Sequence, residues 1–260
     1  DIKPLKASTQ FIGQLIASLI VVFYGNIVLK DVSAFGIYIN FSILSYPLTI
    51  FFILGCINCM NLIDGLDGLA SGISSIYFLT IGIITTIKGS TGLDFVLTFV
   101  MLGSTLGFLV HNFYPASIFM GQSGSMFLGF IVAVIALLGF KNVTMTSLII
   151  PLLILAIPIL DTLFAIIRRL LKGENPSKPD KFHIHHQLLN RNFSQRTTVL
   201  IIYAVNLLFS FASIVYVLKD RVLGYIIYSI LLVMVVLFVA KTNVILDDEQ
   251  KDKLFKIKKK

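Results

Sequence analysis

Long apolar runs, separated mostly by short polar links, follow one another along almost the whole of this chain, and no soluble core can hide them. About 20 predominantly apolar residues in a helix cross the hydrocarbon of a bilayer. Eight stretches approach that description, over approximately 11–29, 41–60, 69–87, 94–111, 126–140, 147–170, 198–218 and 222–240. The fifth is short. The connections at 88–93, 141–146 and 219–221 are too short to be domains, and the one long polar stretch is 171–197. Of the 260 residues, 57% are hydrophobic and 13% charged, against about 25% charged in an average soluble domain. The expected fold class is therefore an all-α polytopic membrane protein with about eight transmembrane helices. One transmembrane domain is expected over 1–246, followed by a basic cytoplasmic tail over 247–260.

Charge then orients the chain. Eight spans place both ends on one side of the membrane. That side would carry Lys3 and Lys6, seven basic residues between Arg168 and Arg196, and the seven lysines from Lys241 onward. The opposite side would carry only Lys30, Lys88, Lys141, Lys219 and Arg221. Basic residues accumulate in cytoplasmic loops, so both termini are expected there, together with the loops near 58–68, 112–125 and 171–197. The net charge of +8 reflects this bias, and nucleic acid is not an expected partner. The chain opens on Asp1-Ile2-Lys3-Pro4, with neither an initiator Met nor a cleavable signal, and reads as starting within something longer.

Every polar-rich motif falls in one of those three loops. The first is Asn58-Cys59-Met60-Asn61-Leu62-Ile63-Asp64-Gly65-Leu66-Asp67-Gly68-Leu69, in which two amides and two carboxylates recur at every third position. Gly65 and Gly68 predict that one helix ends and another begins here. Carboxylate and amide oxygens suit a hard cation such as Mg²⁺. Cys56 and Cys59 form a C-x-x-C at the end of an apolar run and are read as packing residues.

The second motif runs from His111 to Ser125. Gly121 and Gly124 bracket Gln122 and Ser123 just before a helix, a loop able to offer backbone N–H groups to a phosphate. Phe119 is placed to stack on a base, and Ser125 to cap the helix. The third combines Arg168-Arg169 with Pro179-Asp180-Lys181-Phe182-His183-Ile184-His185-His186. A zinc site would want thiolates or helically spaced histidines, so this basic loop fits diphosphate recognition better, and histidine can exchange a proton near neutral pH. Asp161, near Pro158 in the sixth span, would cost at least about 2.5 kcal/mol at a helix centre unless paired. It serves the site or anchors a neighbouring helix.

Together these motifs resemble the polyprenyl-phosphate N-acetylhexosamine-1-phosphate transferase family, whose bacterial branch includes WecA-like and TagO-like enzymes and which is related to the phospho-MurNAc-pentapeptide translocases. The matching elements are N-x-x-N-x-x-D-G-x-D-G-L at 58–69, P-A-x-I-F-M-G-x-x-G-S at 115–125 and P-D-K-x-H-I-H-H at 179–186. The resemblance implies transfer of N-acetylglucosamine-1-phosphate, or a related amino-sugar-1-phosphate, from a UDP-sugar to undecaprenyl phosphate with release of UMP, for cell-wall or surface polysaccharide synthesis in the cell membrane. It implies Mg²⁺, replaceable by Mn²⁺, and a homodimer. By position, Asn61 and Gln122 would hold the metal and Asp64 would support metal and phosphates. Asn58, Asp67, Asn112, Phe119, Arg168 and Arg169 would bind substrate, and His183, His185 and His186 would act on the diphosphate and sugar.

Two departures accompany the resemblance. The family carries an Asp where this chain has Gln122, so an anionic metal ligand is replaced by a neutral one and severely impaired or absent activity is expected. Asp1 resembles the second member of an Asp-Asp pair preceded by further helices, and counts as a catalytic candidate without its partner. The rival expectations are a non-catalytic descendant that binds nucleotide or lipid phosphate and, from another class, a transporter.

Overall fold

The computed structural model describes residues 5–34, 37–141, 149–171, 173, 183–218 and 221–240. Asp1 and the lysine-rich tail lie outside them. Ten α-helices carry the described chain: α1 (Ala7–Leu19), α2 (Ser45–Ile63), α3 (Leu69–Ile87), α4 (Leu93–Asn112), α5 (Gly121–Lys141), α6 (Ile149–Ile154), α7 (Ala156–Leu171), α8 (Ile184–Leu189), α9 (Gln195–Leu218) and α10 (Arg221–Ala240). A π-helical turn over Ile20–Tyr24 extends α1. The polytopic all-α expectation holds, with one addition: β1 (Asp31–Ala34) and β2 (Ile37–Asn40) form a small antiparallel hairpin between α1 and α2. Both strands carry β-branched residues (Val32, Ile37, Ile39), which favour extended backbone.

Seven helical segments are long and apolar enough to cross a membrane: Ala7–Tyr24, Ser42–Ile63, Leu69–Ile87, Leu93–Asn112, Gly121–Gly139, Gln195–Val217 and Val222–Val239. The expected sixth span is broken instead at Leu155, between α6 and α7. Pro158 has no N–H for the carbonyl of Ile154, and its ring clashes with that carbonyl in a regular helix. The ladder resumes on either side, with Leu155 N–H donating to Pro151 and Ile159 N–H to Leu155. Placed end to end, 149–171 would still reach about 34 Å.

In lipid the hydrophobic effect drives helix association weakly, and close packing with small residues takes its place. The α2–α5 interface shows this. A Cβ on Gly129 would lie 2.6 Å from the Cys56 carbonyl oxygen and 2.6 Å from Ile57 Cα, so the two backbones touch. Helix α3 packs between α4 and α9, and α9 packs on α10. The main core joins α3, α5, α7, α8, α9 and α10 around Ile73, Tyr77, Phe78, Ile135, Val199 and Phe209. A smaller cluster joins the end of α1 to α2 and α5 through Val22, Ile53, Cys56, Ala133 and Leu137. Cys56 and Cys59 are free thiols.

Candidate functional site

The expected helix break between Asp64 and Gly68 is present, and it builds the floor of the site. Helix α2 stops at Ile63, and Gly68 adopts φ +78° at the start of α3, a left-handed conformation open to glycine. The turn is held from outside. Asn112, at the end of α4, accepts the Gly68 N–H at 3.1 Å and the Ser71 hydroxyl at 2.8 Å, and donates to the Ile118 carbonyl at 2.9 Å. Asp67 accepts the Ala116 N–H at 3.1 Å. Tyr203 of α9 donates its hydroxyl to the Gly68 carbonyl, and its ring occupies the space that a side chain on Gly72 would take.

Around this turn lies a cavity of about 480 Å³, lined by Asn61, Asp64, Asp67, Asn112, Phe119, Gln122 and neighbouring residues. The first two motifs, more than forty residues apart in sequence, therefore share one chamber. Phe119 is 75% exposed at its rim, an apolar face free to stack. Helix α5 starts at Gly121, five residues before the expected position. Gly121 to Gly124 thus form its first turn and not a preceding loop. Ser125 is not a cap either: it donates to Asn61 Oδ1 at 3.0 Å, tying α5 to α2.

The third motif meets the turn through His185. The ring of His185 rests on the Asp64–Gly65 turn, so a Cβ on Gly65 would stand 2.7 Å from its Nε2. His183 and His185 stack with centroids 5.6 Å apart, and His185 and His186 lie 4.3 Å apart. Burial lowers His185 to a pKa of about 4, opposed by the Asp161 carboxylate and reinforced by His186 and His183. The neutral form of His185 is thereby favoured at physiological pH. Burial raises Asp64 to about 6.

Not every expected residue lines the chamber. Asn58 faces α1 instead, donating to Gln14 Oε1 at 3.1 Å and to the Leu54 carbonyl at 2.8 Å. An amide on the α1-facing side of α2 bonds to its neighbour helix and not to the cavity. Arg168 and Arg169 are buried at the end of α7 and are not among the lining residues. Asn112 lines the chamber, yet its amide already braces two segments of protein. The composition of the motifs did not reveal the supporting residues Gln10, Gln14, Ser71 and Tyr203. Their signal is the isolated polar group inside an apolar span, where an unsatisfied side chain is expensive.

For a metal, the donors at hand are the carboxylates of Asp64 and Asp67 and the amide oxygens of Asn61 and Gln122. Among the described residues, no group of three or more His, Cys, Asp or Glu is arranged to hold an ion. The set fits a hard divalent cation that keeps several waters. Burial alone accounts for the raised Asp64 carboxyl, and a cation in the chamber would favour its ionised form. Gln122 Oε1 accepts a hydrogen bond from Gln10 Nε2 at 3.0 Å, so its neutral oxygen is already shared.

The described helices form a polytopic membrane bundle whose carboxylate- and amide-lined chamber has Phe119 at its rim and His185 against its Asp64–Gly65 turn. Residues 1–140 match glycosyl transferase family 4, and the chain belongs to that family. It is 45% identical over 173 residues to a Bacillus subtilis (strain 168) protein described as "Probable undecaprenyl-phosphate N-acetylglucosaminyl 1-phosphate transferase", covering 66% of this chain and 48% of that one. It is 32% identical over 221 residues to the decaprenyl-phosphate N-acetylglucosaminephosphotransferase of Mycolicibacterium smegmatis, covering 76% and 54%. With the undecaprenyl-phosphate alpha-N-acetylglucosaminyl 1-phosphate transferase of Escherichia coli K12 it shares 34% over 162 residues, covering 60% and 44%. The chain spans about half the length of these curated relatives.

Proposed function

We propose that this protein transfers N-acetylglucosamine-1-phosphate from a UDP-sugar to undecaprenyl phosphate, releasing UMP, at the cytoplasmic face of the cell membrane. The observation that carries the reading is that two separated motifs line one chamber, Asn61, Asp64 and Asp67 from the first and Phe119 and Gln122 from the second, while His185 of the third lies against Gly65 of that lining. Phosphoryl transfer asks for alignment and charge neutralisation more than for covalent participation by the protein. Phe119 would stack on the uracil, the histidines would donate to diphosphate oxygens, and the lipid phosphate would arrive from the bilayer. Asn61, Asp64 and Gln122 would hold Mg²⁺, or Mn²⁺ in its place, with Asp67 beside them. The ion would supply charge neutralisation at the phosphates.

Gln122 would weaken that metal site, because an amide oxygen carries no charge. The test is UMP release by the full-length protein in detergent with UDP-N-acetylglucosamine, undecaprenyl phosphate and Mg²⁺. Gln122→Asp should raise the rate and lower the Mg²⁺ concentration needed for half of it. Asp64→Asn should abolish release. Nucleotide binding without release by either the parent or Gln122→Asp would favour the non-catalytic alternative. Absence of nucleotide binding would overturn the transferase reading.

A further inference from the structure

We propose that Asp161 is a positioning residue for the histidine motif, holding His183 in a single tautomer and capping the helix that carries His185 and His186. What the imidazole then does rests on the transferase reading above; the tautomer does not.

Asp161 sits on α7, nearly two turns beyond the break at Leu155, and is 4% exposed. Its two oxygens are used separately. Oδ2 lies 2.9 Å from His183 Nδ1, and Oδ1 accepts the Ile184 N–H at 2.7 Å. His183, 5% exposed, is the N-cap residue of α8, with extended backbone and no capping bond from its own side chain. A helix start leaves its first N–H groups without intrahelical partners. Here one of them is satisfied by a carboxylate from another helix.

An ionised carboxylate can only accept. His183 Nδ1 must therefore carry the proton, and in the neutral ring the lone pair falls on Nε2. Nε2 is then the nitrogen that accepts a proton or, in the charged ring, donates to a phosphate oxygen. The same carboxylate sets the start of α8, and with it the place of His185 on the Asp64–Gly65 turn. The two hydrogen bonds also explain how a carboxylate persists in a largely apolar helix, where an unpaired one is strongly disfavoured.

The substitution Asp161→Asn is diagnostic. Its carbonyl can still accept the Ile184 N–H, but its NH₂ then faces His183 Nδ1 and demands a lone pair there. The ring is driven to the opposite tautomer, the recognised consequence of replacing an imidazole-orienting carboxylate by its amide. The experiment is ¹⁵N spectroscopy of the full-length, histidine-labelled protein in detergent, with His183 assigned from His183→Gln. The parent should show the Nδ1-protonated ring, and Asp161→Asn the Nε2-protonated ring. UMP release should fall about 10- to 100-fold, the range for loss of a group that orients a functional imidazole, with little change in KM for the UDP-sugar. In a His183→Gln background the same substitution should lower the rate no further. A parent spectrum with Nε2 protonated overturns the proposal, even if Asp161→Asn does not fold. So does a tautomer unchanged by Asp161→Asn, or rate losses that multiply in the double variant. If neither the parent nor Gln122→Asp releases UMP, the transferase reading fails while the spectra still decide the role of Asp161.

Discussion

At the residue scale, burial has set opposite preferences in two neighbours of the chamber. Asp64 is raised to about 6 and His185 lowered to about 4, so each favours its neutral form. For His185 the folded pKa lies below the ordinary 6.5, and the folded state binds fewer protons than the unfolded state between these values. Its contribution to stability is complete above about pH 6.5 and is lost as pH falls toward 4. Asp64 has the opposite slope, so the comparison must be between variants. In detergent, the parent should lose more of its unfolding temperature between pH 7.5 and pH 5 than His185→Gln does, at up to about 1.4 kcal/mol per pH unit. Equal losses would place the titration elsewhere. The carboxylate and histidine positions were legible in the sequence because such residues are rare in an apolar chain. The environments that shift them were not, since His185 and Gly65 meet only across the fold.

At the element scale, most helices follow from composition. Helix α3 occupies 69–87 as expected, and α2, α4, α9 and α10 depart from expectation by a few residues at their ends. The clear departures are those that hydropathy does not encode: Pro158 breaks the sixth span, and α5 begins at Gly121, ahead of its apolar run, with Ser125 just after the first turn tied to Asn61. The contact that aligns those two helices is Gly129 on the α2 backbone. Gly129→Val must push α5 away from Cys56 and Ile57, and should destabilise the protein by about 1–3 kcal/mol, as overpacking does. Gly107→Ala, where a Cβ meets nothing within 4 Å, is the matched control. Thermal unfolding of both in one detergent decides this, and equal midpoints would show that the α2–α5 interface yields without penalty.

At the scale of the whole molecule, the bonds between motifs gather particular helix ends together. Gln10 near the start of α1 reaches Gln122 at the start of α5, Asn112 at the end of α4 reaches the start of α3, and His185 reaches the end of α2. Arg191 and Arg196 lie at that same end, Arg196 over the Phe113 ring at 5.8 Å. The positive-inside rule then predicts that this end faces the cytoplasm. A cysteine at exposed Ser117, with Cys56 and Cys59 replaced, should react with a membrane-impermeant maleimide in inside-out vesicles and not in intact cells; the reverse pattern would invert the topology. By itself the sequence determined the membrane class, the approximate spans and the three motifs, because bilayer thickness and the scarcity of polar residues are written into a linear pattern. Tertiary structure alone decided which polar residues share the chamber and which brace it. Asn58 turned to α1, Asn112 became a clamp, and Asp161 found His183 twenty-two positions away. Those outcomes depend on which helix faces which, and hydrophobic periodicity does not encode partners.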